Sequence, residues 1–315
     1  MKQDVQKFID CLLEAEDLLG GYSSKSYPQL ETGLAYVLPN QLSLTLFEKL
    51  PEFRSFGDAQ KWQVRTIKHL SCTGGSVITK CLAAMPNVAL LSEANPLSRQ
   101  HIVNSPRFSP TDLTSLAIYA KFPQIDELSE KIFKAGIKVI VKHTRSLGKH
   151  LLIREHSHGD MLSATEPFTE GSINKSLSED YQLNSILTVR HPADSFLSLV
   201  DNGWVEFIPG TLEEYCRRYQ LFMEQNNQLE SFKYEDFVSN PQIEIKRMCK
   251  AIDLPYHEDF MEVFDISAVT GDSGRRSNII DKRARRGFDP AFLEETRKSK
   301  QYKKLCDLLN YVSDL

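Results

Sequence analysis

The stretch from Leu70 to Leu82, LSCTGGSVITKCL, constrains this chain more than any other. Its lead-in, VRTIKHLS, reads as a buried strand, and CTGGS is a turn of small residues. Val77, Ile78, Cys81, Leu82 and Met85 then recur at the spacing of a helix packed on a sheet, closed by Pro86-Asn87. A strand that ends in such a turn and opens a helix aims backbone N–H groups at one point. The helix end adds about half a positive charge, so the ligand this junction suits is an anion, phosphate first. Gly74 and Gly75 let the chain approach that anion closely, and Thr73 and Ser76 contribute hydroxyls. The GxxxxGK[ST] spacing of an ATP-hydrolysing loop is not present, so the anion need not be a transferable triphosphate.

The surrounding pattern supplies the frame. VALLSE, Val88 to Glu93, is a second buried strand, completing a strand, helix, strand unit that predicts parallel pairing. Residues 95–123 suit helices over a sheet edge. Through Ile125 to His150 a helical period in Leu128, Ile132, Phe133, Ile137, Ile140 and Val141 outweighs the β-branched run IKVIV, and Gly148 ends the helix. LLIRE, Leu151 to Glu155, is a strand followed directly by HSHG; residues 160–182 are a polar excursion. ILTVR, Ile186 to Arg190, is another strand, and His191-Pro192-Ala193-Asp194 starts a helix with proline in its first turn. Leu212 to Leu229 reads as a long helix, SFKYEDF as a short strand and Pro241 to Ile252 as a helix. This alternation predicts a three-layer α/β fold with a central, mostly parallel sheet. Ahead of it, the stripe Val5, Phe8, Ile9, Leu12 and Leu13 and a second helical stretch at Leu42 to Leu50 predict a helical extension over residues 1–60, packed on an α/β domain at 61–315.

Charge narrows the partners. A net charge of −4 argues against a general nucleic-acid binder. Positive charge is nevertheless concentrated: Arg275, Arg276, Lys282, Arg283, Arg285 and Arg286, with only Asp281, put about +5 into residues 275–286 and leave the remainder near −9. The six cysteines are scattered without CxxC pairs, which predicts reduced thiols, no structural zinc and a cytoplasmic protein. No apolar stretch is long enough to span a membrane, and the N-terminal residues carry no secretory signature. Self-association is not legible.

A second strand-to-helix junction repeats the anion logic at Arg190, with Ser198 eight residues on. Together these features resemble the sulfotransferases that use 3′-phosphoadenosine 5′-phosphosulfate (PAPS), whose fold is a relative of the P-loop NTPases. In that family a [KR]-S-G-T-T-like turn binds the 5′-phosphosulfate; here the turn is Cys72, Thr73, Gly74, Gly75 and Ser76. A later strand ends in arginine, with serine eight residues on, to hold the 3′-phosphate; VRHPADSFLS matches with Arg190 and Ser198. YED at Tyr234 resembles the segment whose tyrosine sits near the adenine. GDSGRRS, with Arg275 and Arg276, resembles the basic loop that closes over the 3′-phosphate. One departure stands out: the family places a cation before the turn, and this chain has Cys72. Arg154 could reach in from a neighbouring strand.

The resemblance implies sulfuryl transfer to a hydroxyl or amine of a small molecule, glycan or lipid, with PAPS as co-substrate and no metal. An acceptor hydroxyl must lose its proton as it attacks, so a base is needed at the strand ends. IREHSH resembles the family segment that carries a catalytic histidine, with Arg154 and His156 in the corresponding places. Strand alternation sends these two to one side and Glu155 to the other. His158 is the backup and Glu93 the rival base. Two other readings compete: a P-loop-type small-molecule kinase, disfavoured by the missing GK[ST] lysine, and a non-catalytic nucleotide-binding relative, suggested by Cys72.

Overall fold

The structure, a computed structural model, describes residues 61–99, 110–163, 165–266, 269–270, 280, 282, 285 and 287–315. The helical extension expected over residues 1–60 lies outside the described residues, as do Arg275 and Arg276.

Five strands form one sheet: β1 (Trp62–His69), β2 (Val88–Ala94), β3 (His150–Glu155), β4 (Tyr181–Val189) and β5 (Ser231–Lys233), in the order β2-β3-β1-β4-β5. Every pairing is parallel. β1 is central and its last six residues are buried, as expected of a parallel strand covered on both faces. The strand, helix, strand unit read from the sequence is parallel, yet β1 and β2 do not touch, because β3 is inserted between them.

Alternation along the strands sorts the core into layers. Ile67, Leu152, Ile186 and Phe232 face one way and pack on α1 (Gly75–Ala83) and on α9 (Pro241–Ala251). On the other face Val64, Leu151 and Ile153 meet Ile137 and Val141 of α3 (Ile125–Ser146), the helix expected from its period. Leu187 and Val189 on that face meet α6 (Pro192–Asp201), α7 (Leu212–Gln225) and α12 (Lys300–Leu309). The remaining helices are α2 (Leu113–Tyr119), α4 (Ser157–Met161), α5 (Ser172–Leu177), α8 (Tyr234–Ser239), α10 (Phe260–Val263) and α11 (Pro290–Lys298). α5 lies inside the stretch read as a polar excursion, and β4 begins at Tyr181, five residues ahead of the expected Ile186.

One segment differs in kind. SFKYEDF is strand only through Lys233; Tyr234 opens a helix with Glu235 and Asp236 in its first turn. Carboxylates there favour the positive helix end. No helix among the described residues is long and apolar enough to cross a membrane.

Candidate active site

The carboxyl ends of β1, β2, β3 and β4 carry every described residue singled out for chemistry except Ser198, on the helix α6 that follows β4, and Tyr234, which follows β5. In an open parallel sheet this is where ligands bind.

The turn after β1 is tightly built. Cys72 and Gly74 have left-handed backbone conformations, at φ 69 and 89. The Thr73 side chain is fully buried, its hydroxyl donating to the Leu70 carbonyl at 2.7 Å. Two neighbouring rings explain the glycines: a Cβ on Gly74 would lie 2.2 Å from the Tyr234 ring, and one on Gly75 would lie 2.4 Å from the His69 ring. Tyr234 is thus packed on the turn and buried, with the Arg190 guanidinium 5.0 Å from its ring centroid. Arg190 also donates to the Cys72 carbonyl at 3.0 Å. Asn202, just past α6, donates to the Ser198 carbonyl at 2.6 Å and approaches Cys72 Sγ at 3.9 Å. The two anion junctions read from the sequence are therefore adjacent. Arg285, from the basic stretch, pairs with Asp194 in the first turn of α6 at 2.8 Å.

Arg154 organises the other half. It is 2% exposed. Its Nε donates to His69 Nε2 at 2.8 Å, one terminal nitrogen reaches Ser92 Oγ at 3.3 Å and the Thr270 carbonyl at 2.9 Å, and the other reaches Ser76 Oγ at 2.9 Å and the Glu93 carboxylate. A guanidinium has five N–H donors, and each meets an acceptor. Ser92 and Glu93 are consecutive, so in a regular strand they would face opposite ways. Both meet Arg154 because the β2–β3 register shifts between Leu91 and Ala94, with Glu93 at φ 58. This is a bulge re-aiming a side chain, a device the sequence pattern does not display.

Glu93 links the remaining groups. Its other carboxylate oxygen lies 2.5 Å from His156 Nδ1. Burial pushes the Glu93 carboxyl up, but the His156 hydrogen bond and the charges of His69, Arg154 and His156 outweigh it and hold it below the usual carboxylate range. The two residues read as rival bases are therefore one hydrogen-bonded pair. His69 donates from Nδ1 to the Leu70 carbonyl at 3.0 Å and accepts from Arg154 at Nε2, which assigns the neutral tautomer. Burial and the Arg154 charge lower its pKa to about 4. His158, the backup base, is buried: its Nε2 lies 3.6 Å from Glu206, its Nδ1 has no hydrogen-bond partner, and its ring centroid is 6.0 Å from that of His156.

On the opposite face Lys68 and Glu155 form an ion pair at 2.7 Å, both side chains 5% exposed. His69 and Glu155 are structural residues with no motif to mark them in the sequence, although alternation from Arg154 sends Glu155 the other way. Among the described residues no group of three or more His, Cys, Asp or Glu side chains is placed to hold a metal ion.

No protein-family model and no curated protein matches the chain. Solved structures do. The sulfotransferase domain from the curacin biosynthetic pathway superposes with a TM-score of 0.52 at 15% identity, over 80% of this chain and 99% of that one. The sulfotransferase domain of the Synechococcus PCC 7002 olefin synthase gives 0.43 at 15% identity, over 81% and 98%. The first likeness shows the fold: the chain has the three-layer α/β architecture of a sulfotransferase domain.

Proposed function

We propose that this protein transfers a sulfuryl group from PAPS to a hydroxyl or amine of a small molecule, glycan or lipid. The observation that carries the reading is the meeting, at adjacent strand ends, of a small-residue turn opening a helix, a buried arginine on its Ser76, and a histidine–carboxylate pair. In this reading the 5′-phosphosulfate lies on the backbone N–H groups of Thr73 to Ser76, and Arg190 and Ser198 take the 3′-phosphate. Arg275 and Arg276 are assigned to the same phosphate, and Tyr234 to the adenine side.

Cys72 offers no cation, and Arg154 supplies one from β3 through Ser76 Oγ. In this reading its charge offsets the negative charge that grows on the bridging oxygen as the sulfur–oxygen bond breaks. The acceptor gives its proton to His156 Nε2 as its oxygen attacks sulfur in line. The new S–O bond forms, the old one breaks, and adenosine 3′,5′-bisphosphate leaves. Glu93 holds the Nδ1 proton, aims the ring and stabilises the imidazolium. The chemistry needs no metal. A cytoplasmic setting rests on the scattered cysteines of the sequence, without CxxC spacing.

Thermal stabilisation by adenosine 3′,5′-bisphosphate should exceed that by AMP. Equal shifts, or none, overturn the reading; a larger shift with ATP and magnesium would favour a kinase.

A further inference from the structure

Four consecutive residues after α12 are tied down one by one. Asn310, at φ 53, turns the chain out of the helix, and its carbonyl accepts from Lys233 Nζ at 2.8 Å. The Tyr311 hydroxyl donates to Glu235 Oε2 at 2.6 Å, and its ring lies 4.3 Å from Lys233 Nζ. The Val312 carbonyl accepts from His191 Nε2 at 3.1 Å, and the Ser313 carbonyl accepts from the Tyr302 hydroxyl at 3.1 Å. Three of these four bonds reach the β4–α6 and β5–α8 junctions, far away in sequence.

The partners matter more than the number of bonds. Glu235 Oε1 accepts the backbone N–H of His191, the residue after Arg190, at 3.1 Å. Glu235 also directly follows Tyr234, whose ring lies on Gly74 and beneath the Arg190 guanidinium. One carboxylate therefore fixes the backbone beside the arginine and the aromatic surface under it. His191 Nδ1 accepts from Ala193 N at 3.3 Å, so the ring is the neutral tautomer that donates to Val312. The Arg190 N–H is held separately, by the Tyr219 hydroxyl at 3.1 Å.

We infer that the segment 310–313 is a strap that positions Arg190, with Tyr311 and Glu235 as its positioning residues. This rests on the proposed function, in which Arg190 holds the 3′-phosphate. Without the strap's bond to Glu235, the junction can turn and carry the guanidinium off the Cys72 carbonyl and away from the phosphate it serves. None of the four bonds of the strap reaches the turn at Thr73 to Ser76, which takes the 5′ end.

The test is the ligand dependence of the loss. Tyr311→Phe keeps the ring on Lys233 and removes only the hydroxyl. Affinities for adenosine 3′,5′-bisphosphate and for AMP, which lacks the 3′-phosphate, are measured by thermal stabilisation over titrations that reach saturation. Expected is a loss of about tenfold for the bisphosphate and less than about twofold for AMP, the size of one hydrogen bond to a charged group. Equal losses for both ligands, or none, overturn the strap and leave the proposed function standing. A wild-type protein that does not prefer the bisphosphate overturns both. Should Tyr311→Phe fail to fold, Glu235→Gln, which keeps an acceptor for His191 while weakening the tie to Tyr311, should show the same selective loss.

Discussion

Arg154 Nε donates to His69 Nε2 at 2.8 Å, and that bond exists only while the imidazole is neutral. A protonated His69 would turn an N–H toward a guanidinium N–H, deep in the protein, with the Gly75 backbone pressed on its ring.

Stability should therefore depend on pH through His69. Its folded pKa of about 4 lies below the unfolded 6.5, so the unfolded chain binds more protons between these values. The stabilisation is present above pH about 6.5 and is lost as pH falls toward about 4. From pH 7 to pH 5 the loss from this group is about 2 kcal/mol. Urea denaturation of wild type and His69→Gln at both pH values checks it: the wild type should lose that much more than the variant, and equal losses would refute the assignment.

The His156–Glu93 pair predicts a graded effect on turnover. His156→Ala should lower kcat by roughly 10²- to 10⁴-fold with donor affinity within about twofold. Glu93→Gln should lower it less, because an amide can still accept from Nδ1 but no longer stabilises the imidazolium. Steady-state kinetics with saturating donor decide; an unchanged kcat in His156→Ala would pass the base role to another group, His158 first.

Gly74→Ala should cost roughly 2–4 kcal/mol, combining a left-handed backbone with a methyl driven into the Tyr234 ring. Adding Tyr234→Leu should recover the steric part and not the backbone part. Chemical denaturation of the single and double variants separates the two.

Breaking the Lys68–Glu155 pair should be costly when one partner is removed and far less so when both are. Lys68→Met leaves a buried carboxylate without its cation and should destabilise by roughly 3–5 kcal/mol, whereas Lys68→Met with Glu155→Leu should regain most of it. Denaturation midpoints at constant m-value provide the measurement.

The sequence displays what depends on near neighbours. Leu151 to Glu155 alternates, which sends Arg154 and His156 to one side, and both reach Glu93. The period across Leu128 to Val141 is that of α3, and it outweighs the β-branched IKVIV. Long-range placement is a different matter. Val88 to Glu93 reads as a strand, but nothing in it says that β3 will intervene between it and β1. Nor does VALLSE announce a bulge; Glu93 read as an alternative to His156 because a regular strand gave no reason to join them. Tyr234 was placed beside the adenine by resemblance, while its fit over Gly74 depends on two junctions distant in sequence. The basic run at 275–286 stands out in the sequence only as a concentration of charge, whereas the anchoring of its Arg285 to Asp194 depends on a helix residue 91 positions away.

The strand order has a consequence for how the chain comes off the ribosome. β1 is made early, yet its partners begin at His150 and Tyr181, with Arg65 registered on Leu152 and Thr66 on Ser185. Until those segments emerge, the central strand has both hydrogen-bonding edges open, which is the condition for slow, non-local closure and for capture by other nascent chains. A nascent chain that stalls before β3 holds the turn at Thr73 to Ser76 in sequence and has no sheet on which to fold it.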